Sequence, residues 1–238
     1  MEQNFLEKAA ENLGKLKPTA TCETCGATAY SGAELEHEPR CLKDRENWMR
    51  RVISFSQLPA NKPRTFDGFK KIDGTAKALA AAKLYCDPAQ RRHPFLTFIG
   101  PPGVGKTHLA QAIGWWWAES LKFNFRYVQA EKMLDQLRRC FDRRSDSPED
   151  DFDTQLNFLC KVPLLILDDL GTESSSDWSR AKLQSVIDDR YENGRLTVVT
   201  TNDPAKIPSR VLSRLREGVI VAIDAQDYRL TIASERSV

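Results

Sequence analysis

The sequence predicts an α/β fold, a parallel sheet flanked by helices and carrying a phosphate-binding loop. Two observations predict it. From about Thr65 onward, short apolar runs alternate with helix-length amphipathic segments, the pattern of strands covered on both faces. The segment "GPPGVGKT", Gly100 to Thr107, follows one such run and opens one such helix, the context in which a phosphate loop works.

Strands are expected at 95–99 ("FLTFI"), 124–128 ("NFRYV"), 163–168 ("PLLILD"), 196–200 ("LTVVT") and 219–223 ("VIVAI"). Helices fit between and before them, at about 74–86, 105–119, 130–142, 152–160 and 177–192. Ahead of this domain, residues 1–17 read as a short amphipathic helix ended by Pro18, followed by a cysteine-bearing segment at 21–45. The basic stretch 46–64 contains prolines that suggest a linker from about 56 to 65. The expected division is therefore 1–64 for the N-terminal part and 65–238 for the main domain.

With 238 residues, the chain has room for one substantial core and an appendage. Its apolar runs stop at about eight residues, too short to span a membrane. The N-terminal stretch "MEQNFLEKAAENLGKLKP" lacks the pattern of a secretory signal, so a cytoplasmic protein without a membrane partner is expected. A formal net charge of +2 is too small to argue for nucleic acid by itself.

Gly100, Pro101, Pro102, Gly103, Val104 and Gly105 form the loop, whose glycines let backbone N–H groups close around phosphates at the positive end of the following helix dipole. Lys106 is placed to contact the β and γ phosphates and Thr107 to ligate Mg²⁺, with His108 next in line at the same helix start. The second half of such a site is "LLILDDLG", 164–171. Its apolar residues deliver Asp168 to the carboxyl end of a strand as the Mg²⁺-side carboxylate, with Asp169 beside it to polarise a water. A turn-initiating Asp pair is the plainer alternative. Aspartate rather than glutamate at 169 shortens the reach to that water. "VVTTND" then brings Asn202 to the same edge, either to sense the γ phosphate or to cap the next helix.

Taken in order, the phosphate loop, "LLILDD", "VVTTN" and "SRVLSRLREG…DYR" resemble the ATPase domain of AAA+ proteins of the DnaC/IstB group, over about residues 65–230. That group comprises replicative helicase loaders and ATPase helpers of transposases. The resemblance implies ATP with Mg²⁺ as cofactors and a homo-oligomer in the ATP state. Arg214 becomes an arginine finger reaching a neighbouring subunit, with Arg210 supporting it, and Arg229 a sensor arginine in its own chain. A guanidinium fork suits the charge that develops on a transferring phosphoryl group. Arg216 reads as a solvated helix residue. Only about fifteen residues follow Ile223, too few for a bundled C-terminal lid.

Cys22, Cys25, His37 and Cys41 give C-x2-C-x11-H-x3-C, a spacing that suits a tetrahedral structural Zn²⁺. The alternative is free thiols with an incidental histidine. By resemblance, this module would dock a partner, a replicative helicase in the loader reading or a transposase in the other. Arg138, Arg139, Arg143 and Arg144 beside Phe141 form a basic and aromatic mix suited to single-stranded DNA, although acidic residues from Asp142 to Asp153 crowd the same stretch. The three tryptophans 115–117 cannot all face inward on one helix. A stand-alone small-molecule kinase is the reading from a different class, disfavoured by the paired arginines near the C-terminal edge.

Overall fold

The computed structural model describes residues 18–21, 28–30, 42–120, 125–142, 151–172 and 176–228. The chain forms two compact units that divide between Arg51 and Val52.

In the first unit, β1 (Pro18–Thr21) pairs antiparallel with β2 (Thr28–Tyr30), Thr21 opposite Thr28. Residues 22–27, which join them, include Cys22 and Cys25. These two strands were not expected. Neither was α1 (Leu42–Ser56), which begins in this unit, runs past the division and takes up most of the basic stretch. Residues 1–17, Cys22, Cys25, His37 and Cys41 lie outside the described residues.

The second unit is built on β3 (Phe95–Ile99), β4 (Phe125–Gln129), β5 (Leu164–Leu170), β6 (Leu196–Thr201) and β7 (Val219–Ala222). They form one parallel sheet in the order β4-β5-β6-β3-β7. Its helices are α2 (Ala76–Cys86), α3 (Lys106–Glu119), α4 (Ala130–Asp142), α5 (Phe152–Lys161), α6 (Asp177–Glu192) and α7 (Ser209–Glu217). Leu164, Leu165, Ile166 and Leu167 are fully buried, as a parallel strand covered on both faces must be. Among the described residues no helix is long and apolar enough to cross a membrane.

Trp115 and Trp117 are buried and Trp116 is half-buried, so the indole that helical geometry turns outward is the middle one. Cys86 and Cys160 are buried, and Cys140 is half-buried.

Arg190, on the last turn of α6, is completely buried. Its Nη1 donates to the carbonyls of Leu159 and Val162, both at 2.8 Å, and of Cys160 at 3.2 Å. Nη2 donates to Leu196 O, and Nε to Thr197 Oγ1 at 3.0 Å. One side chain thus ties the carboxyl end of α5, whose last carbonyls lack helical partners, to the start of β6. Burial pushes its guanidinium down to about 10, so it remains charged at neutral pH. Arg190→Met is expected to destabilise the fold by about 3–5 kcal/mol, because several buried carbonyls lose their donors together. A urea denaturation curve with an unchanged midpoint would contradict this.

Candidate functional site

Strand order explains how distant segments of sequence meet. β5, β6 and β3 are consecutive in the sheet, so with neighbouring strands about 4.8 Å apart their carboxyl ends lie within roughly 10 Å. The phosphate loop leaves β3, the Asp pair ends β5 and Asn202 follows β6.

The loop closes over the start of α3. Gly105, the residue before that helix, has φ +94, and a β-carbon there would stand 2.8 Å from the Phe69 ring. Gly103 has φ +79, with the Asp227 carboxylate where its β-carbon would be. Both positions combine a left-handed backbone with a close neighbour, which glycine accommodates. Lys106 is buried and donates from Nζ to Gly100 O at 2.8 Å and Pro101 O at 2.7 Å. Its ammonium is therefore held inside the loop that would receive phosphates. Pro101 and Pro102 are exposed, Pro102 at the cavity's edge, and Val104 is buried.

Asp168 is 2% exposed and accepts three hydroxyl hydrogen bonds. Thr107 Oγ1 and Thr200 Oγ1 donate to Oδ1 at 3.0 and 2.6 Å, and the Tyr127 hydroxyl donates to Oδ2 at 2.6 Å. Gln111 Nε2 in turn donates to the Tyr127 oxygen at 2.9 Å. Burial, followed by the negative charge of Asp168, pushes the Tyr127 phenol well above its usual value, so it acts only as a neutral donor. Thr107 and Asp168 present hard oxygen atoms beside the phosphate loop and fit Mg²⁺, whose charge would neutralise the β and γ phosphates.

Asp169 departs from the regular strand. Its φ is +58, and the β5–β6 register shifts between Leu167 and Leu170. The Asp169 N–H donates to Thr200 Oγ1 at 2.9 Å instead of continuing the ladder, and its Oδ1 accepts from Asn202 Nδ2 at 2.8 Å. This twist turns the Asp169 carboxylate towards the cavity while Asp168 stays buried. A left-handed aspartate costs of order 1 kcal/mol, so the neighbouring bonds must offset it.

A cavity of about 530 Å³ runs over this edge, lined by Gly103 to His108, Asp169, Thr200 and Asn202. Its far side comes from residues that sequence reasoning missed: Arg64, Phe69, Lys70, Ile72, Thr75 and Tyr228. His108 lines the cavity; its Nε2 donates to Thr65 O at 2.8 Å, and its ring meets Phe69 edge-on. Burial holds its imidazole below the usual value, so it contributes no positive charge near neutral pH. Beyond β7 the chain turns back over the loop, with Tyr228 N–H donating to Gly103 O at 3.2 Å. Arg229 follows immediately and lies outside the described residues.

Arg210 and Arg214 do not line this cavity. They project from α7 towards α6, where both meet Asp188. Arg216 is exposed, as expected of a solvated helix residue. The basic and aromatic group near α4 is partly engaged with itself. Arg138 stacks over Trp178 at 5.2 Å, and Phe141, 61% exposed, packs edge-on against Phe152. Arg139 bonds back to the Asp135 carbonyl, and Arg143 and Arg144 lie outside the described residues.

This arrangement can cradle a nucleoside triphosphate, hold a divalent cation and orient a water. Known proteins point the same way. The chain is 27% identical over 215 residues to the replicative helicase loader DnaC of Escherichia coli strain K12, a match spanning 85% of this chain and 83% of that protein. It is 31% identical over 147 residues to a protein of Bacillus thuringiensis subsp. berliner named for insertion sequence IS232 and for ATP binding, spanning 57% of this chain and 55% of that one. Among solved structures, that of the DnaC helicase loader superposes with a TM-score of 0.58 at 26% identity, covering 68% of this chain and 97% of the other. The family model described as IstB-like ATP binding protein matches residues 6–223. With its phosphate loop, its paired aspartates and this match over most of its length, the chain belongs to the IstB-like ATP-binding protein family and is an AAA+ ATPase.

Proposed function

We propose that this chain is an ATP-dependent loader of a replicative helicase that binds single-stranded DNA and hydrolyses ATP at the boundary between subunits. The observation that carries the reading is the division of the site. Lys106, Thr107, Asp169 and Asn202 line one cavity, with Asp168 bonded to Thr107 behind its wall, whereas Arg210 and Arg214 stand outside it on α7. In this reading the arginines serve the cavity of a neighbouring copy, so hydrolysis depends on assembly. Lys106 and the loop amides hold the phosphates, Asp169 polarises the attacking water, Asn202 senses the γ phosphate, and Arg229 acts on the nucleotide of its own chain. The likeness to DnaC over 85% of the chain supports a helicase as partner.

The N-terminal part, 1–64, is then a partner-docking module organised by Zn²⁺. Support for the metal comes from the spacing of Cys22, Cys25, His37 and Cys41 in the sequence. Such a segment has too little apolar surface to fold alone, and metal binding would supply the missing free energy. Single-stranded DNA would meet the exposed Phe141 and the arginines around it.

A second reading, an ATPase helper of a transposase, is supported by the likeness to the IS232 protein. Incubation of the full chain and ATP with either a purified hexameric helicase or a purified transposase separates the two. Retention of the helicase is expected, with about one zinc per chain. Cys22→Ser should lose both the metal and the helicase while still binding ATP. Retention of the transposase alone would overturn the loader reading, and a metal-free chain that still captures the helicase would overturn the zinc module.

A further inference from the structure

Arg210 and Arg214 stand one helical turn apart, so their side chains leave the same face of α7. That face meets α6, and both arginines converge there on a single carboxylate. Arg214 Nε donates to Asp188 Oδ1 at 3.1 Å, and Arg210 Nε lies 3.4 Å from Asp188 Oδ2. The Asp188 side chain is only 17% exposed, that of Arg214 is 30% exposed and that of Arg210 is 66% exposed.

Arg214 is held on two further sides. Its guanidinium carbon stands 4.5 Å over the Tyr191 ring, and Nη1 reaches Glu217 Oε1 at 3.4 Å. The Tyr191 hydroxyl donates to the other oxygen of Glu217, which ties the ring and the carboxylate together. The grip of Asp188 is on Nε, the inner edge of the fork. Of the terminal nitrogens, the part that would meet a phosphoryl group, Nη1 is held by Glu217, and the plane of the fork is set by Tyr191. Nothing in the cavity of the same chain explains this arrangement, since neither arginine lines it.

A long side chain already confined to one orientation has lost the conformational freedom that docking on a neighbour would otherwise cost. We propose that Asp188 is a positioning residue: its carboxylate sets Arg214, with Arg210 beside it, as a preformed pair for the ATP site of a second copy of this chain. The proposal rests on the reading of Arg214 as an arginine that acts across the subunit boundary. An incidental surface ion pair would behave differently, because exposed pairs contribute little and their loss is silent.

The test uses the full chain with ATP and Mg²⁺ under conditions in which the wild type turns over. Asp188→Asn is expected to lower kcat about ten- to a hundredfold, the scale of a misplaced catalytic group, with KM for ATP and the melting temperature little changed. Asp188→Glu should recover most of the lost turnover. Asp188→Asn subunits mixed with Asp169→Asn subunits should regain activity, because the latter bring intact arginines to the former's sites. Mixed with Arg214→Ala subunits they should not, since both fail in the same component. Wild-type kcat in Asp188→Asn, alongside loss of turnover in Arg214→Ala, would overturn the proposal and leave the trans reading standing. Retained turnover in Arg214→Ala would instead remove the trans reading itself. Asp188→Ser carries the same expectation and the same overturning result should the asparagine variant melt early.

Discussion

Lys106→Ala is expected to lower the affinity for ATP at least about a hundredfold, equivalent to roughly 3 kcal/mol. The loss has two physical parts. The ammonium that would face the β and γ phosphates is removed, and with it the charge-assisted contacts that neutral amides cannot replace. The loop also loses its internal brace, because Lys106 Nζ is the donor to the carbonyls of both Gly100 and Pro101. Those carbonyls would turn towards the phosphates as readily as away from them once the donor is gone. Equilibrium titration with a fluorescent ATP analogue measures the effect. Affinity near that of the wild type would remove the phosphate-site assignment, since no other cationic side chain is buried within that loop.

Arg214→Ala is expected to lower hydrolysis about a thousandfold while ATP affinity changes little, the signature of a group used in the transition state and not in ground-state binding. The affinity should survive because Arg214 lies outside the cavity of its own chain. Mixing supplies the decisive measurement. Asp169→Asn subunits cannot polarise water but keep their arginines, whereas Arg214→Ala subunits keep their water-polarising carboxylate. At a boundary where the first meets the second, one complete site is formed, and turnover should return in proportion to such boundaries. No recovery at any ratio would sink the trans role. Arg210→Ala should lose less, since Arg210 is 66% exposed and makes its contact at the longer distance of 3.4 Å.

The strands of the second unit were legible because each is a compact apolar run. The expected 95–99 and 196–200 correspond to Phe95–Ile99 and Leu196–Thr201. The helix Leu42–Ser56 was not legible for the opposite reason. Val52 and Ser56 are its buried residues among those whose side chains are described, a stripe too narrow to stand out among arginines and lysines. Within the site, the phosphate loop and the Asp pair announce themselves by local pattern. Thr200 and Tyr127 do not. Each donates to Asp168 from a strand on one side of β5, and both lie near the carboxyl ends of their strands. That signal becomes usable once the strand order is known.

What the sequence by itself determined is the chemistry available at the nucleotide: a loop for phosphates, a pair of carboxylates at a strand end and an amide after the next strand. These follow from contiguous residues whose local geometry is set by backbone hydrogen bonding and hydrophobic burial. Only the tertiary structure decided which side chains complete that chemistry. It bent Asp169 into a left-handed conformation against Asn202, brought Phe69 and Tyr228 to the cavity, and closed Asp188 on Arg210 and Arg214. The reason is distance along the chain: an ion pair between α6 and α7, or a ring from the segment before α2, exists only after the sheet has placed those elements side by side.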